Sequence, residues 1–140
     1  MQVDKTKCVG CYACVVACVD AHYDAADENW ISYRIPRTYI DCYGIDRIVP
    51  EGCTHCGKCT EVCPQGAITR VEEFNLVVTN TDKCTGCGAC YQACPLNVIQ
   101  IGQNGMTMRC DGCIERRAQG REAACARVCP VKAITSDNKN

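Results

Sequence analysis

The most informative part of this chain runs Cys84-Thr-Gly-Cys87-Gly-Ala-Cys90-Tyr-Gln-Ala-Cys94-Pro95. Two, two and three residues separate its four cysteines, and a proline follows the last of them. The chain has 17 cysteines in 140 residues, and all except Cys42 fall into sets of this kind. The spacing of the cysteines therefore constrains the fold more than any other feature of the sequence.

Four related cysteine motifs follow one another along the chain. The motifs are Cys8/Cys11/Cys14/Cys18, Cys53/Cys56/Cys59/Cys63, Cys84/Cys87/Cys90/Cys94 and Cys110/Cys113/Cys125/Cys129. The second and third share the spacing and the proline, and the first has Val19 in the proline position. The fourth ends with Pro130 but has eleven residues between its second and third cysteines. We interpret the fourth motif as the same unit with an inserted loop.

This spacing is the bacterial ferredoxin pattern for [4Fe–4S] clusters. Three thiolates two residues apart on a curled loop reach three corners of one cluster, whereas the fourth cysteine points toward a neighbouring cluster. Sulfur is also the ligand class that iron–sulfur chemistry selects. Sixteen cysteines in four motifs therefore predict four [4Fe–4S] clusters as the cofactors.

Composition and charge exclude several other functions. The chain has one phenylalanine and one tryptophan, so its apolar core is small and needs metal or disulfide support. The formal net charge of -1, without a run of basic residues, disfavours nucleic-acid binding. No apolar stretch is long enough to span a membrane, and no leader pattern is present at residues 1–7. We therefore expect a cytoplasmic protein without a membrane span.

Other uses of cysteine fit less well. A disulfide scaffold is disfavoured by the odd cysteine total and the fourfold spacing, and only the fourth motif resembles a structural zinc site. A zinc-stapled or disulfide-stapled interaction module is kept as an alternative from another functional class. Covalent haem needs a histidine directly after C-x-x-C, and none of the pairs has one.

Internal repeats predict the architecture. The segments 62–69, 93–100 and 128–135 align without gaps, which indicates duplication. The apolar pairs at 67–68, 98–99 and 133–134 suit short strands, and residues 75–79 and 105–108 suit hairpin partners. The short C-x3-C spans suit single helical turns. The prediction is an α+β fold of small sheets and short helices wrapped on four clusters, in two pseudo-symmetric bacterial-ferredoxin-like units.

The order of the motifs predicts how they pair. The second and third motifs lie close in sequence and should form an inserted unit at 53–101, whereas the first and fourth should meet in a unit made of 1–52 and 102–140. Crossed ligation then gives four sets of ligands. These are cluster A (Cys8, Cys11, Cys14, Cys129), cluster B (Cys110, Cys113, Cys125, Cys18), cluster C (Cys53, Cys56, Cys59, Cys94) and cluster D (Cys84, Cys87, Cys90, Cys63).

The chain resembles the four-cluster iron–sulfur subunits that accompany molybdenum or tungsten pterin enzymes of the dimethyl sulfoxide reductase type. It is also similar to polyferredoxins of hydrogenase and carbon monoxide dehydrogenase systems. The resemblance covers nearly the whole chain and includes Val19 in the first motif, the long segment 19–52, and the fourth motif from Cys110 to Pro130. It implies a catalytic partner subunit, most readily one that carries a tungsten or molybdenum pterin.

The predicted function is the relay of single electrons between a catalytic oxidoreductase subunit and other carriers. Clusters held by four thiolates have no open position for a substrate, and the sequence has no nucleotide-binding loop or catalytic constellation. The chain itself is therefore predicted to be non-catalytic. The alternative is a freely diffusing polyferredoxin that serves several enzymes.

Several residues outside the motifs are secondary candidates. We expect Cys42 to be a packed free thiol, with a redox or ligand role as the alternative. Trp30, Tyr33, Tyr39 and Tyr43 either cover a cluster face or form a docking surface. His22 and His55 are not expected to ligate iron, because the cysteines already supply four complete sets.

Basic residues form the last group of candidates. Lys7, Lys83 and Arg109 each directly precede the first cysteine of a motif. A positive charge there would favour a reduced cluster, although a solvated side chain is the expected state. Arg116, Arg117 and Arg121 lie in the inserted loop of the fourth motif and form either a partner contact or a solvated lid.

Overall fold

Short helices lie within or directly beside the cysteine motifs in the computed structural model, which describes residues 1–24 and 31–136. The helices are α1 (Ala13–His22), α2 (Lys58–Val62), α3 (Ala89–Ala93), α4 (Ile114–Ala118) and α5 (Ala124–Val128). The last cysteine of the second, third and fourth motifs stands one residue after α2, α3 or α5. The short helical turns predicted for the C-x3-C spans are therefore present in these three motifs, whereas the span of the first motif lies inside the ten-residue α1.

The residue before a helix often has a left-handed backbone. Gly57 precedes α2 with a φ of 88°, and Gly88 precedes α3 with a φ of 78°. Glycine adopts this conformation without a Cβ clash. Tyr12 occupies the same place before α1 with a φ of 63°, where a side chain makes the conformation less favourable. The first motif thus keeps the backbone shape of the second and third motifs without their glycine.

Strands pair into small antiparallel sheets. They are β1 (Gln2–Val3), β2 (Ile35–Ile40), β3 (Asp46–Glu51), β4 (Ile68–Val71), β5 (Leu76–Thr79), β6 (Gln100–Ile101), β7 (Thr107–Met108) and β8 (Ile134–Thr135). Among the described residues, the sheets are β1–β8, β2–β3, β4–β5 and β6–β7, each of two strands. Small sheets with short helices confirm the α+β class, whereas the pseudo-symmetry of two units stays a prediction.

The strand predictions are largely confirmed. Residues 75–79 and 105–108 contain β5 and β7, the predicted hairpin partners. The apolar pair at 98–99 is buried but precedes its strand, because β6 begins at Gln100. The segment 19–52 contributes the β2–β3 hairpin.

Two clusters of buried apolar side chains form the interior. The larger combines residues from both ends of the chain, including Met1, Cys14, Cys125 and Ile134. The smaller lies between α2, α3 and the β4–β5 hairpin and includes Val77. α1 packs on α5, and α2 packs on α3. No helix among the described residues is long and apolar enough to cross a membrane.

Candidate metal centres

One cavity brings the first motif and the end of the fourth together. Cys8, Cys11 and Cys14 line it with Cys129, which lies far away in sequence. The remaining walls are mostly apolar, and they include Val3 and Ile134 of the β1–β8 sheet. These four cysteines are the set predicted for cluster A.

A second cavity combines the third motif with the end of the second. Cys84, Cys87 and Cys90 line it together with Cys63. Thr107 adds a hydroxyl oxygen 3.2 Å from the Cys90 sulfur, on the strand that pairs with β6. These four cysteines are the set predicted for cluster D.

Most of the other eight cysteines of the predicted sets lie in or against the two buried clusters. Cys18 on α1 lies near Cys125 on α5, and both are buried. Cys110 and Cys113 belong to the same buried cluster as Cys125. In the smaller core, Cys59 is buried and Cys94 packs against its cluster, whereas Cys56 is exposed.

Backbone N–H groups point at the sulfurs of the closing cysteines. Ala67 N–H donates to Cys63 Sγ over 3.4 Å, and Ala133 N–H donates to Cys129 Sγ over 3.3 Å. In both motifs the chain turns back after the proline, which brings the fourth following amide to the sulfur. Burial raises the pKa of Cys129, but its own backbone donors, including Ala133, outweigh burial and lower the pKa overall. Such donors stabilise a thiolate, the form that binds metal.

Burial has the opposite effect on deeper thiols. It raises the pKa of Cys125 to about 11 and raises the pKa of Cys14, although the nearby Arg34 guanidinium opposes both rises. These thiols are neutral without metal and must release protons to become ligands. Four sulfur donors to a site, supported by N–H groups, fit the soft thiolate ligation of iron–sulfur clusters.

Arg34 is a site residue that the sequence analysis missed. Its side chain is 3% exposed, and Nε and Nη2 have no hydrogen-bond partner within residues 1–24 and 31–136. A Cβ on Gly52 would clash with the guanidinium, so the absence of a side chain there makes room for it. A lone arginine in a β-rich segment gives no sequence signal of burial, because most arginines are exposed.

Arg109 is also buried, at 6% exposed, so the expectation of a solvated side chain is wrong. Its Nη2 donates to Cys53 Sγ over 3.0 Å, and its Nη1 donates to the Val77 carbonyl over 2.6 Å. Lys7 and Lys83, at the matching positions of the first and third motifs, are exposed as expected. The three basic residues therefore differ in environment despite their shared sequence position.

The two histidines contact the cysteine motifs in different ways. His22 Nε2 lies 2.9 Å from Asp111 Oδ1, and Nδ1 lies 2.8 Å from the Cys18 carbonyl. Burial opposes charging, but hydrogen bonds led by Asp111 raise the pKa of His22. His22 and Asp111 also lie close to Cys113, one of the cysteines predicted for cluster B.

His55 is buried beside the second motif. Its Nδ1 accepts the Val77 N–H over 3.0 Å, and its Nε2 lies 3.8 Å from Cys110 Sγ. Burial, together with the positive charge of Arg109, lowers the pKa of His55 to about 3. The ring is therefore neutral and carries its proton on Nε2, toward the sulfur.

Some of the aromatic candidates cover the cysteines, and others lie at the protein surface. Tyr33 packs on the larger core, and its N–H lies 3.4 Å from Cys18 Sγ, so it covers the cysteines. Tyr39 donates to the Lys5 carbonyl, whereas Tyr43 is 84% exposed. Trp30 lies outside the described residues.

The remaining candidates are arginines of the fourth motif and Cys42, none of which belongs to a predicted ligand set. Arg116 donates to the Glu122 carbonyl over 3.1 Å and so ties α4 to the inserted loop of the fourth motif. Arg121, in the same loop, is exposed. Cys42 is exposed in the turn between β2 and β3, so the expectation of a packed thiol is wrong.

Comparison with known proteins identifies the family. Two 4Fe-4S dicluster domain families match this chain, one over residues 46–139 and one over 7–67. The chain is 34% identical to a subunit of the anaerobic dimethyl sulfoxide reductase of Escherichia coli K12, covering 94% of this chain and 69% of that protein. It is 33% identical to thiosulfate reductase electron transfer subunit PhsB of Salmonella typhi, covering 96% of this chain and 72% of that protein.

A third relative is the iron–sulfur subunit of nitrate-inducible formate dehydrogenase from Escherichia coli K12. It is 30% identical, over 94% of this chain and 51% of that protein. Subunits of this kind transfer electrons within oxidoreductase complexes and are not their catalytic subunits. The chain therefore belongs to the 4Fe-4S dicluster family, as a four-cluster iron–sulfur electron-transfer subunit of the dimethyl sulfoxide reductase type.

Proposed function

We propose that this chain carries single electrons between a catalytic subunit with a molybdenum or tungsten pterin and another electron carrier. The observation that carries the proposal is the pair of cavities, each lined by three cysteines of one motif and the closing cysteine of another. When bound, a [4Fe–4S] cluster held by four thiolates accepts and releases one electron. The kind of partner follows from the relatives, which include the dimethyl sulfoxide reductase subunit.

The proposal includes the crossed ligand sets A to D in the arrangement predicted from sequence. The two cavities support sets A and D. Packing of α1 on α5 supports a shared site for Cys18 and the fourth motif, as set B requires. Packing of α2 on α3 supports a shared site for the second motif and Cys94, as set C requires.

The proposed domain organisation follows from these sets. One unit comprises 1–52 and 102–140, and the inserted unit comprises 53–101. The two buried clusters support this division, because one draws mainly on the chain ends and the other on residues between 59 and 99. The β6–β7 hairpin spans the proposed boundary, so the two units share a short connection rather than a flexible linker.

Exposed apolar residues favour a bound subunit over a free carrier. Val9, Tyr12, Ile45 and Ile48 are exposed and line one open groove together with Cys8 of the first motif. Contiguous exposed apolar surface is typical of protein contact sites. A groove beside a proposed cluster ligand is a suitable place for electron exchange with a partner.

The test is metal analysis of the complex purified anaerobically from its native source without separating the subunits. We expect about sixteen iron and sixteen sulfide for each copy of this chain, together with molybdenum or tungsten from the partner. Nickel instead would replace the pterin partner with a hydrogenase or carbon monoxide dehydrogenase. Iron with no other metal and no bound subunit would favour the free polyferredoxin, and zinc without iron would overturn the proposal.

A further inference from the structure

Two buried side chains reach across between the second and fourth motifs. His55 lies inside the second motif, and its Nε2 is directed at Cys110 of the fourth. Arg109 directly precedes the fourth motif, and its guanidinium donates to Cys53 of the second. Each motif therefore supplies a hydrogen-bond donor to a sulfur of the other.

Val77 anchors both donors. Its N–H donates to His55 Nδ1 over 3.0 Å, and its carbonyl accepts from Arg109 Nη1 over 2.6 Å. Val77 is fully buried on β5, so one buried residue anchors both side chains. Anchoring of this kind sets the direction of each donor.

Close packing holds the fourth motif against β5. A Cβ on Gly112 would clash with the Leu76 side chain, so the backbone of the motif packs directly on that side chain. Cys53 packs against the buried cluster that contains Cys110. The two sulfurs that receive the crossed hydrogen bonds thus lie in one buried region.

Hydrogen bonds and positive charge on a cluster's thiolates favour the reduced state, which carries one more negative charge. Burial strengthens both effects, because a low dielectric screens charge poorly. Arg109 Nη2 lies 3.0 Å from the Cys53 sulfur and carries a formal charge, whereas His55 Nε2 lies 3.8 Å from the Cys110 sulfur. We expect the effect of Arg109 to be the larger of the two.

We infer that Arg109 and His55 are potential-setting residues, each of which raises the reduction potential of one cluster. Arg109 acts through Cys53 of the second motif, and His55 acts through Cys110 of the fourth motif. The inference rests on the proposed ligand sets B and C. The crossed pair sits where the two proposed units meet, so it adjusts the two clusters between which an electron changes units.

The experiment is an anaerobic redox titration followed by electron paramagnetic resonance on the reconstituted full chain. Arg109→Gln should lower the potential of one cluster so that its reduced-to-oxidised ratio at a fixed applied potential falls about tenfold, which corresponds to about 59 mV. His55→Phe should lower the potential of a different cluster by a smaller amount. Lys83→Gln is the matched control, since Lys83 holds the same sequence position before the third motif but is exposed.

Arg109→Lys keeps the proposal testable if Arg109→Gln loses iron. Lysine retains the charge but cannot bond both Val77 and Cys53, so we expect full iron content and a smaller fall in the same potential. Unchanged potentials in Arg109→Lys and His55→Phe, or shifts equal to those of Lys83→Gln, would overturn the inference. Wild-type protein without four clusters would instead contradict the proposed function, which iron analysis of the same sample distinguishes.

Discussion

Val3 and Ile134 are register partners in the antiparallel β1–β8 sheet, although they lie near opposite ends of the chain. Ile134 is buried, and both residues line the cavity of the cluster A cysteines. The sheet therefore closes the site at which the first and fourth motifs meet.

Ile134→Ala should destabilise this closure. Removing a buried isoleucine side chain costs about 2–5 kcal/mol of unfolding free energy. We expect iron to be lost first from sets A and B, while the iron of the inserted unit is retained. Anaerobic denaturant unfolding with iron analysis measures both effects. Ile101→Ala is the control, because Ile101 is exposed on β6. Equal destabilisation by the two variants would contradict the special role of the β1–β8 sheet.

Paired cysteine variants test the crossed ligation by counting iron alone. If Cys11 and Cys129 hold the same cluster, Cys11→Ala with Cys129→Ala loses about four iron, the same as either single variant. Cys11→Ala with Cys63→Ala should lose about eight, because those residues belong to different sets. A loss of about eight from the first pair would show that Cys129 serves another cluster.

His22 and Asp111 should be energetically coupled. Their contact joins the end of α1 to the fourth motif over 2.9 Å. Asp111 is about one-third exposed, so water screens the pair, and we expect a coupling of about 1 kcal/mol. A double-mutant cycle with His22→Gln and Asp111→Asn, measured by anaerobic unfolding, gives this value. Strictly additive single effects would show that the contact contributes no coupling.

Cys42 should be the cysteine of the holoprotein that reacts with an alkylating reagent. It is exposed at a hairpin turn, and it belongs to none of the proposed ligand sets. Mass spectrometry of anaerobic holoprotein should find one modification, on Cys42, and none in Cys42→Ser. The variant should keep its full iron content. Loss of four iron in Cys42→Ser would give Cys42 a ligand role.

Removal of iron should unfold most of the chain. Of the 21 buried apolar residues described, eight are cysteines of the proposed ligand sets, and few large aliphatic side chains remain in the core. Metal binding in small domains of this kind supplies much of the folding free energy. Removing the iron with a chelator under mild oxidation should make the backbone amides of both buried clusters exchange rapidly with solvent. Retained protection in the iron-free chain would show that aliphatic packing is sufficient.

The cysteine spacing predicted much of the local structure because it is a local property. A motif with two, two and three intervening residues specifies a curled loop followed by a helical turn, and α2 and α3 follow that pattern. The hairpins after the second and third motifs were also predictable from short apolar stretches between turn residues. Pairing across the chain was predicted from the order of the motifs, and the β1–β8 sheet is consistent with it.

Contacts between distant segments were less predictable. Nothing in the sequence near Arg34 or Arg109 distinguishes a buried guanidinium from an exposed one. Their burial depends on space left by Gly52 for Arg34, and on a carbonyl offered to Arg109 by Val77. Cys42 was expected to pack because free cysteines usually do, but its place in a turn keeps it at the surface.

The nested connectivity of the chain has a consequence for its synthesis. β1 leaves the ribosome before the other described elements and β8 leaves after them, so their sheet forms only once the segment between them has been made. The middle hairpins, β4–β5 and β6–β7, can form much earlier, because the two strands of each hairpin are close in sequence. At about 5–20 residues per second, the thiols of the first motif stay open for seconds before their enclosure is complete. Assembly therefore proceeds from the middle hairpins outward, and the cysteines of the first motif need protection from oxygen for longer than those of the later motifs.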